Sequence, residues 1–157
     1  MLAPPRPAIL FVCLGNICRS PLAEAAFRHR AIEAGLDVEA DSAGTGDWHI
    51  GAAPDPRAQA TAKRHGIDIS GYRGRQLEEA DFHRFTHIFA LDRDNLATIR
   101  RTAPEGATAA TALLLDLVDG RAGQSVADPY YGRDAAFETT WAEVDAAAAA
   151  LVAALSE

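Results

Sequence analysis

The chain has 157 residues, 48% of them hydrophobic, two cysteines and a formal net charge of −7. Length and apolar share make it one ordinary domain that can bury a core without disulfides or metals. The acidic balance, with no cluster of Lys or Arg, excludes a surface built for nucleic acid or anionic membrane. Cys13 and Cys18 cannot form a disulfide framework, their C-x4-C spacing is neither a redox pair nor half of a zinc finger, and the five His residues complete no zinc set. No metal and no cofactor are therefore expected.

Arg outnumbers Lys fourteen to one and Ala is abundant, which reads as a GC-rich, bacterial coding sequence. Residues 1–7 carry three prolines and one Arg and lack the apolar stretch of a signal peptide, so they read as an extended lead-in to a cytoplasmic protein. Ala8-Ile9-Leu10-Phe11-Val12 is a continuous apolar run of buried-strand length. Beyond it Ser20 is a good N-cap and Pro21 falls at a first helical position, where a missing N–H costs nothing. The pattern predicts a helix over residues 21–34 stopped at Gly35, a short strand over 38–42, and a loop over 43–53 that holds three glycines, Trp48 and His49.

Pro54-Asp55-Pro56 then opens a helix that runs through His65 and stops at Gly66. Residues 77–84 read as a short helix, 86–91 as a buried strand, and Asp92 as the cap of a helix to about residue 101. Residues 112–115 are the fourth strand candidate, 116–131 a long loop and 134–155 the last helix. Strands alternating with helices predict a single α/β domain: a parallel sheet with right-handed crossovers and helices on both faces. Ligands of such sheets gather at the carboxyl ends of the strands, and Cys13 closes the first one. Along the last helix Phe137, Trp141, Val144, Ala148, Leu151 and Leu155 form one apolar stripe of core packing. Its polar face lacks Lys and Arg, which argues against a membrane-lying helix.

The chemistry concentrates in Val12-Cys13-Leu14-Gly15-Asn16-Ile17-Cys18-Arg19-Ser20-Pro21. A helix N-terminus leaves N–H groups unpaired and carries partial positive charge, and a loop curled above it aims further N–H groups at one point, so an anion belongs there. Arg19 adds a planar fork that pairs two oxygens of a phosphate at once. The same positive field favours thiolate over thiol at Cys13. Nucleophile and phosphate site coincide.

This C-x5-R-S segment after a strand, with its Gly-Asn-Ile interior, resembles the low-molecular-weight protein tyrosine phosphatases. The resemblance implies one domain over residues 1–157 with a four-stranded sheet in the order 2-1-3-4. It implies that Cys13 attacks phosphorus to form a phosphocysteine, and that Arg19 and the loop from Leu14 through Gly15, Asn16 and Ile17 to Cys18 hold the phosphoryl oxygens. Asp128-Pro129-Tyr130-Tyr131 resembles the family's D-P-Y-Y segment, which makes Asp128 the general acid and base, stiffened by the proline that follows it. Tyr130, Tyr131 and, opposite them, Trp48 become flat walls for a phenyl ring, while the family's tyrosines here are also phosphorylation targets. Asn16, which tolerates left-handed backbone angles, and Ser42 hold the loop open, and Ser20 both caps the helix and faces the leaving thiolate. Ile17 stands where a related arginine-phosphatase branch carries Thr, so it points to tyrosine. Cys18 reads either as a small apolar filler or as the partner of Cys13 in a protective disulfide.

The partners implied are phosphotyrosine proteins and a cognate tyrosine kinase, with no nucleic acid and no membrane, for a monomer or weak dimer. Further matches are Pro54-Asp55-Pro56-Arg57-Ala58, His65-Gly66-Ile67, Arg75-Gln76-Leu77 and Asp92-x-x-Asn95. Tyr72, Gly74, Thr86 and Leu91 depart from the family's usual His, Ala, Asp and Met. Three rival readings are weaker. A thioredoxin-coupled arsenate reductase needs two more cysteines, a nucleotide-binding phosphate loop needs G-x-x-x-x-G-K-[ST], and a phosphoprotein-binding module does not need a thiol, a guanidinium and a carboxylate together.

Overall fold

The computed structural model describes residues 6–157, so residues 1–5 of the expected lead-in lie outside the described residues. Arg6 donates to Asp37 Oδ1 (2.9 Å) and to the Val38 carbonyl (2.9 Å), which lays the start of the described chain beside the approach to the second strand.

Four parallel strands, β1 (Ala8–Cys13), β2 (Glu39–Gly44), β3 (His87–Ala90) and β4 (Ala110–Leu113), form one sheet in the order β2-β1-β3-β4, as the resemblance implied. Among the described residues five α-helices are interleaved with them: α1 (Arg19–Glu33), α2 (Pro56–Arg64), α3 (Asp81–Arg84), α4 (Arg93–Thr102) and α5 (Asp134–Leu155), with α2 and α3 both between β2 and β3. β1 is paired on both edges and buried along its whole length, which is why it reads as an unbroken apolar run. Successive side chains point to opposite faces of a strand. Ile9, Phe11 and Cys13 accordingly join the core under α1, α2 and α5, whereas Ala8, Leu10 and Val12 join Phe82, Phe85, Ile88 and Ile99 on the α3 and α4 side. Strand parity thus decides which way the Cys13 thiol faces.

Phe11 packs against Phe27 of α1 (ring centroids 5.7 Å apart) and Phe89 of β3 (6.3 Å), and burial of rings of this size stabilises the sheet–helix layer by about 2–3 kcal/mol each. The stripe on α5 is core as expected: Phe137, Trp141, Val144, Ala148 and Leu151 are buried, together with Thr140 and Ala147. A bidentate pair from Arg30 to Asp145 (2.6 and 2.9 Å) fastens α1 to α5. Among the described residues no helix is long and apolar enough to cross a membrane.

Three local expectations are corrected. The fourth strand covers Ala110–Leu113 instead of residues 112–115, and Leu114–Leu117 is a 3-10 turn. Leu113 belongs to the α4-side core, while Leu114 and Leu115 both enter the α5-side core. Two neighbouring residues cannot share a face in a strand, so the chain must turn. The short third helix covers only Asp81–Arg84, because the residues before it are drawn to the end of β2: Gly44 bridges to Gln76, and Leu77 N–H donates to the Gly44 carbonyl (2.8 Å). Finally, α1 begins at Arg19, and Ser20 makes no capping bond. Its hydroxyl is engaged at the thiol.

Candidate active site

The loop from Leu14 to Cys18 leaves the carboxyl end of β1 and enters α1 directly, with Asn16 in the left-handed region at φ 57°. Asn tolerates that conformation because its short polar side chain bonds locally. Here the Asn16 amide accepts from Arg75 N–H at Oδ1 (3.0 Å), and this fixes the orientation of its Nδ2. Nδ2 donates to Ser20 Oγ (2.8 Å) and Ser42 Oγ (3.0 Å). Each hydroxyl, acting as acceptor there, has its own proton free to point away: Ser42 donates to Glu24 Oε1 (2.8 Å), and Ser20 faces Cys13 Sγ at 3.0 Å as donor. The backbone N–H of Asn16 donates to the same sulfur (3.3 Å). Among the described residues the N–H groups of Gly15, Ile17, Cys18 and Arg19 have no protein acceptor, as an anion-binding loop requires.

This buried chain ends in charge pairs. Glu24 accepts from Arg28 Nε (2.7 Å); burial pushes its carboxyl above the usual range, opposed by that hydrogen bond. The Arg75 side chain forks onto Asp81 (2.9 and 3.0 Å) and Asp41 (2.9 Å), which registers its backbone against the loop. Tyr72, at the position where the family's histidine is usual, is pushed up to about 12, first by burial and then by the negative Glu24.

Arg19 is 4% exposed, and its Nη1 donates to Asp92 Oδ2 (2.8 Å) and the Val126 carbonyl (3.1 Å). Asp92 has a second duty, since its Oδ1 caps α4 by accepting from Asn95 N–H (2.7 Å). With one edge of the guanidinium so held, Nη2 lies 3.7 Å from Asp128 Oδ2. Asp128 lies on the long loop before α5, and its Oδ1 accepts from Tyr130 N–H (3.1 Å).

These groups border one cavity of about 280 Å³ lined by Cys13, Leu14, Gly15, Ile17, Cys18, Arg19, Trp48, His49, Asp128, Tyr130 and Tyr131. Every residue expected at the site lines it except Asn16, Ser20 and Ser42. Asn16, expected both within the phosphate-holding loop and as a group that holds the loop open, lies behind the cavity lining, with its side chain bonded to Arg75, Ser20 and Ser42. His49, read without a role, does border the cavity. Asp92, Glu24 and Arg75 went unassigned to the site, although Asp92 follows a strand at the ligand end of the sheet, a placement that was legible. The rim is apolar: Trp48 is 68% exposed and Tyr131 93%, with Tyr130 and Tyr131 edge to face at 5.0 Å. Trp48 folds back over Gly46, where a Cβ would stand 1.9 Å from the indole, so only glycine leaves room for that wall.

Cys18 is a buried free thiol, pushed up to about 12 by burial first and by the negative Asp55 next, so it stays protonated at neutral pH. That slows any attack it makes on an oxidised Cys13.

Fold and loop together define a class: an α/β protein with an anion-binding C-x5-R loop at the carboxyl end of its first strand. Comparison with known proteins narrows it. A family profile described as low molecular weight phosphotyrosine protein phosphatase matches residues 8–157. A low molecular weight protein-tyrosine-phosphatase of Streptomyces coelicolor is 45% identical, covering 95% of this chain and 93% of its own. The crystal structure of YfkJ from Bacillus subtilis superposes with a TM-score of 0.89 at 39% identity over 98% of this chain and 96% of that one. That of a Drosophila arginine phosphatase has a TM-score of 0.90 at 30% identity, covering 95% and 98%. The chain belongs to the low molecular weight phosphotyrosine protein phosphatase family.

Proposed function

We propose that the chain hydrolyses phosphotyrosine in proteins through a phosphocysteine at Cys13. The observation that carries this reading is the convergence, on one cavity, of a buried sulfur that faces only hydrogen-bond donors, a guanidinium held by its far edge, and a carboxyl group 3.7 Å from that guanidinium. The phosphoryl group of the substrate sits among the loop N–H groups and the Arg19 fork, whose attraction grows as charge builds on the equatorial oxygens. Cys13 Sγ attacks phosphorus in line, the bond from phosphorus to the phenol oxygen breaks, and that oxygen keeps the electron pair and takes the Asp128 proton. In the second half a water adds to phosphorus, Asp128 recovers a proton from it, and sulfur leaves with its charge stabilised by the Ser20 hydroxyl.

Tyr130, Tyr131 and Trp48 supply flat apolar walls above this floor, so a rigid aryl stem reaches the sulfur while the short stem of phosphoserine leaves its phosphate too high. Ile17 borders the cavity and supports the aryl reading over the arginine one. The physiological setting we infer is cytoplasmic, opposite a tyrosine kinase, with the chain acting as a monomer or weak dimer. A matched peptide panel tests the substrate class: phosphate release from phosphotyrosine is expected to exceed that from phosphoserine and phosphoarginine by at least about a hundredfold. Comparable rates on phosphoarginine would move the chain to the other branch.

The acid assignment has its own test. Asp128→Ala is expected to lower kcat/KM on phenyl phosphate by roughly 10²–10³-fold. On 2,4-dinitrophenyl phosphate, whose leaving group departs without a proton, the loss is expected to be small. Equal losses on both esters would remove Asp128 from that role.

A further inference from the structure

Arg57, in the first turn of α2, lies outside the cavity lining and takes part in no step above. Each nitrogen of its guanidinium has an acceptor. Nε and Nη2 donate to Asp55 Oδ1 (3.0 Å) and Oδ2 (2.9 Å), and Nη1 donates to the Gly132 carbonyl (3.1 Å). The central carbon lies 4.7 Å from the middle of the Phe137 ring and 5.5 Å from that of Tyr130. A planar cation suits this place, because it stacks on rings while its edges donate.

What the fork joins gives it meaning. Asp55, besides capping α2, donates its N–H to the Ile17 carbonyl (2.9 Å), on the back of the anion loop. At the other end Gly132 N–H donates to the Pro129 carbonyl (2.8 Å), which closes residues 129–132 into one turn, and Tyr130 N–H holds the Asp128 carboxyl at 3.1 Å. Gly132 is also seated hard on α5, where a Cβ would stand 2.5 Å from Ala136. A continuous path therefore runs from the loop under the phosphate, through Asp55 and Arg57, to the turn that holds the Asp128 carboxyl and carries Tyr130 and Tyr131.

We propose that Arg57 is a positioning residue: it fixes the acid-bearing turn against the anion loop and so sets the distance at which Asp128 meets the leaving oxygen. The inference rests on the reading of Asp128 as the acid. A pin that served stability alone would, when removed, lower activity on all esters alike. A pin that sets proton delivery affects only those that need the proton.

The test uses the whole chain, with kcat/KM measured on phenyl phosphate and on 2,4-dinitrophenyl phosphate for the parent, Arg57→Met, Arg57→Lys and Asp128→Ala. Arg57→Met is expected to lose roughly ten- to a hundredfold on phenyl phosphate and little on the dinitrophenyl ester, with inhibition by inorganic phosphate unchanged. Arg57→Lys keeps the charge and can still pair with Asp55, but it has no second edge for Gly132, so it is expected to show the same bias. Combining Arg57→Met with Asp128→Ala is expected to cost no more on phenyl phosphate than Asp128→Ala alone. Equal losses on the two esters, or a lysine variant indistinguishable from the parent, would overturn the proposal while leaving the acid in place if Asp128→Ala still discriminates between them. An Asp128→Ala variant that does not discriminate would remove the acid assignment and the Arg57 inference together.

Discussion

Cys13→Ser is expected to lose phosphate release by on the order of 10⁵-fold or more while remaining folded. The exchange of sulfur for oxygen at a side chain 3% exposed disturbs little volume, so the loss is chemical. A serine hydroxyl is a weak nucleophile unless a neighbouring base takes its proton. The groups that meet the sulfur here are Ser20 Oγ, which the Asn16 amide turns into a donor, and the N–H of Asn16. Both stabilise a negative atom, and neither accepts a proton from a neutral one. A cysteine is therefore expected to work at this position and a serine is not. Inorganic phosphate is expected to bind the variant with near-parent affinity by calorimetry, because the loop N–H groups and Arg19 are untouched. A variant retaining a tenth of parental turnover would mean that the bond-forming atom lies elsewhere.

The second large effect belongs to Arg19→Lys, which keeps one positive charge and is nevertheless expected to lower kcat by roughly 10²–10³-fold. In the parent one nitrogen of the fork is committed to Asp92 at 2.8 Å and to the Val126 carbonyl at 3.1 Å, which aims the remaining edge into the cavity. An ammonium is a single point on a flexible stem. In a site that is 4% exposed it will be drawn to the Asp92 carboxylate and present no second donor to phosphate. Because the interaction strengthens as the equatorial oxygens gain charge, the loss should fall on kcat more than on KM. A lysine variant that loses affinity alone, with kcat intact, would reduce Arg19 to a ground-state binder.

The floor of the site was legible from ten consecutive residues because its geometry is local: a strand end, a left-handed Asn, and a helix start that follow one another in the chain. The proposed acid and the walls were legible only through resemblance, since nothing in Asp128-Pro129 by itself says that it returns to Arg19. Asn16, Ser20 and Ser42 were legible as supports through the same resemblance, but the pairing of each long-range contact was not. Arg19 meets Asp92 across 73 residues, Asn16 meets Arg75 across 59, and Ser42 meets Glu24 across 18, so each contact exists only once the sheet order is set. Ser20 shows how a correct local rule fails. Its type and position favour a helix cap, but a buried sulfur and a buried amide leave that hydroxyl more to satisfy inside the loop than at the helix end. The Leu113-Leu114-Leu115 run misled for a related reason, because three consecutive leucines say that burial is needed and not on which side of the sheet each will find it.

The claim on which all of this turns is that the sulfur of residue 13 becomes bonded to phosphorus during turnover. The most direct measurement is a rapid acid quench of the enzyme mixed with a fast-leaving aryl phosphate, followed by peptide mass spectrometry. The account predicts a phosphoryl group on Cys13 that forms and decays at the rate of turnover and is absent from Cys13→Ser. Direct transfer to water, with residue 13 unmodified at every quench time while product accumulates, would contradict it.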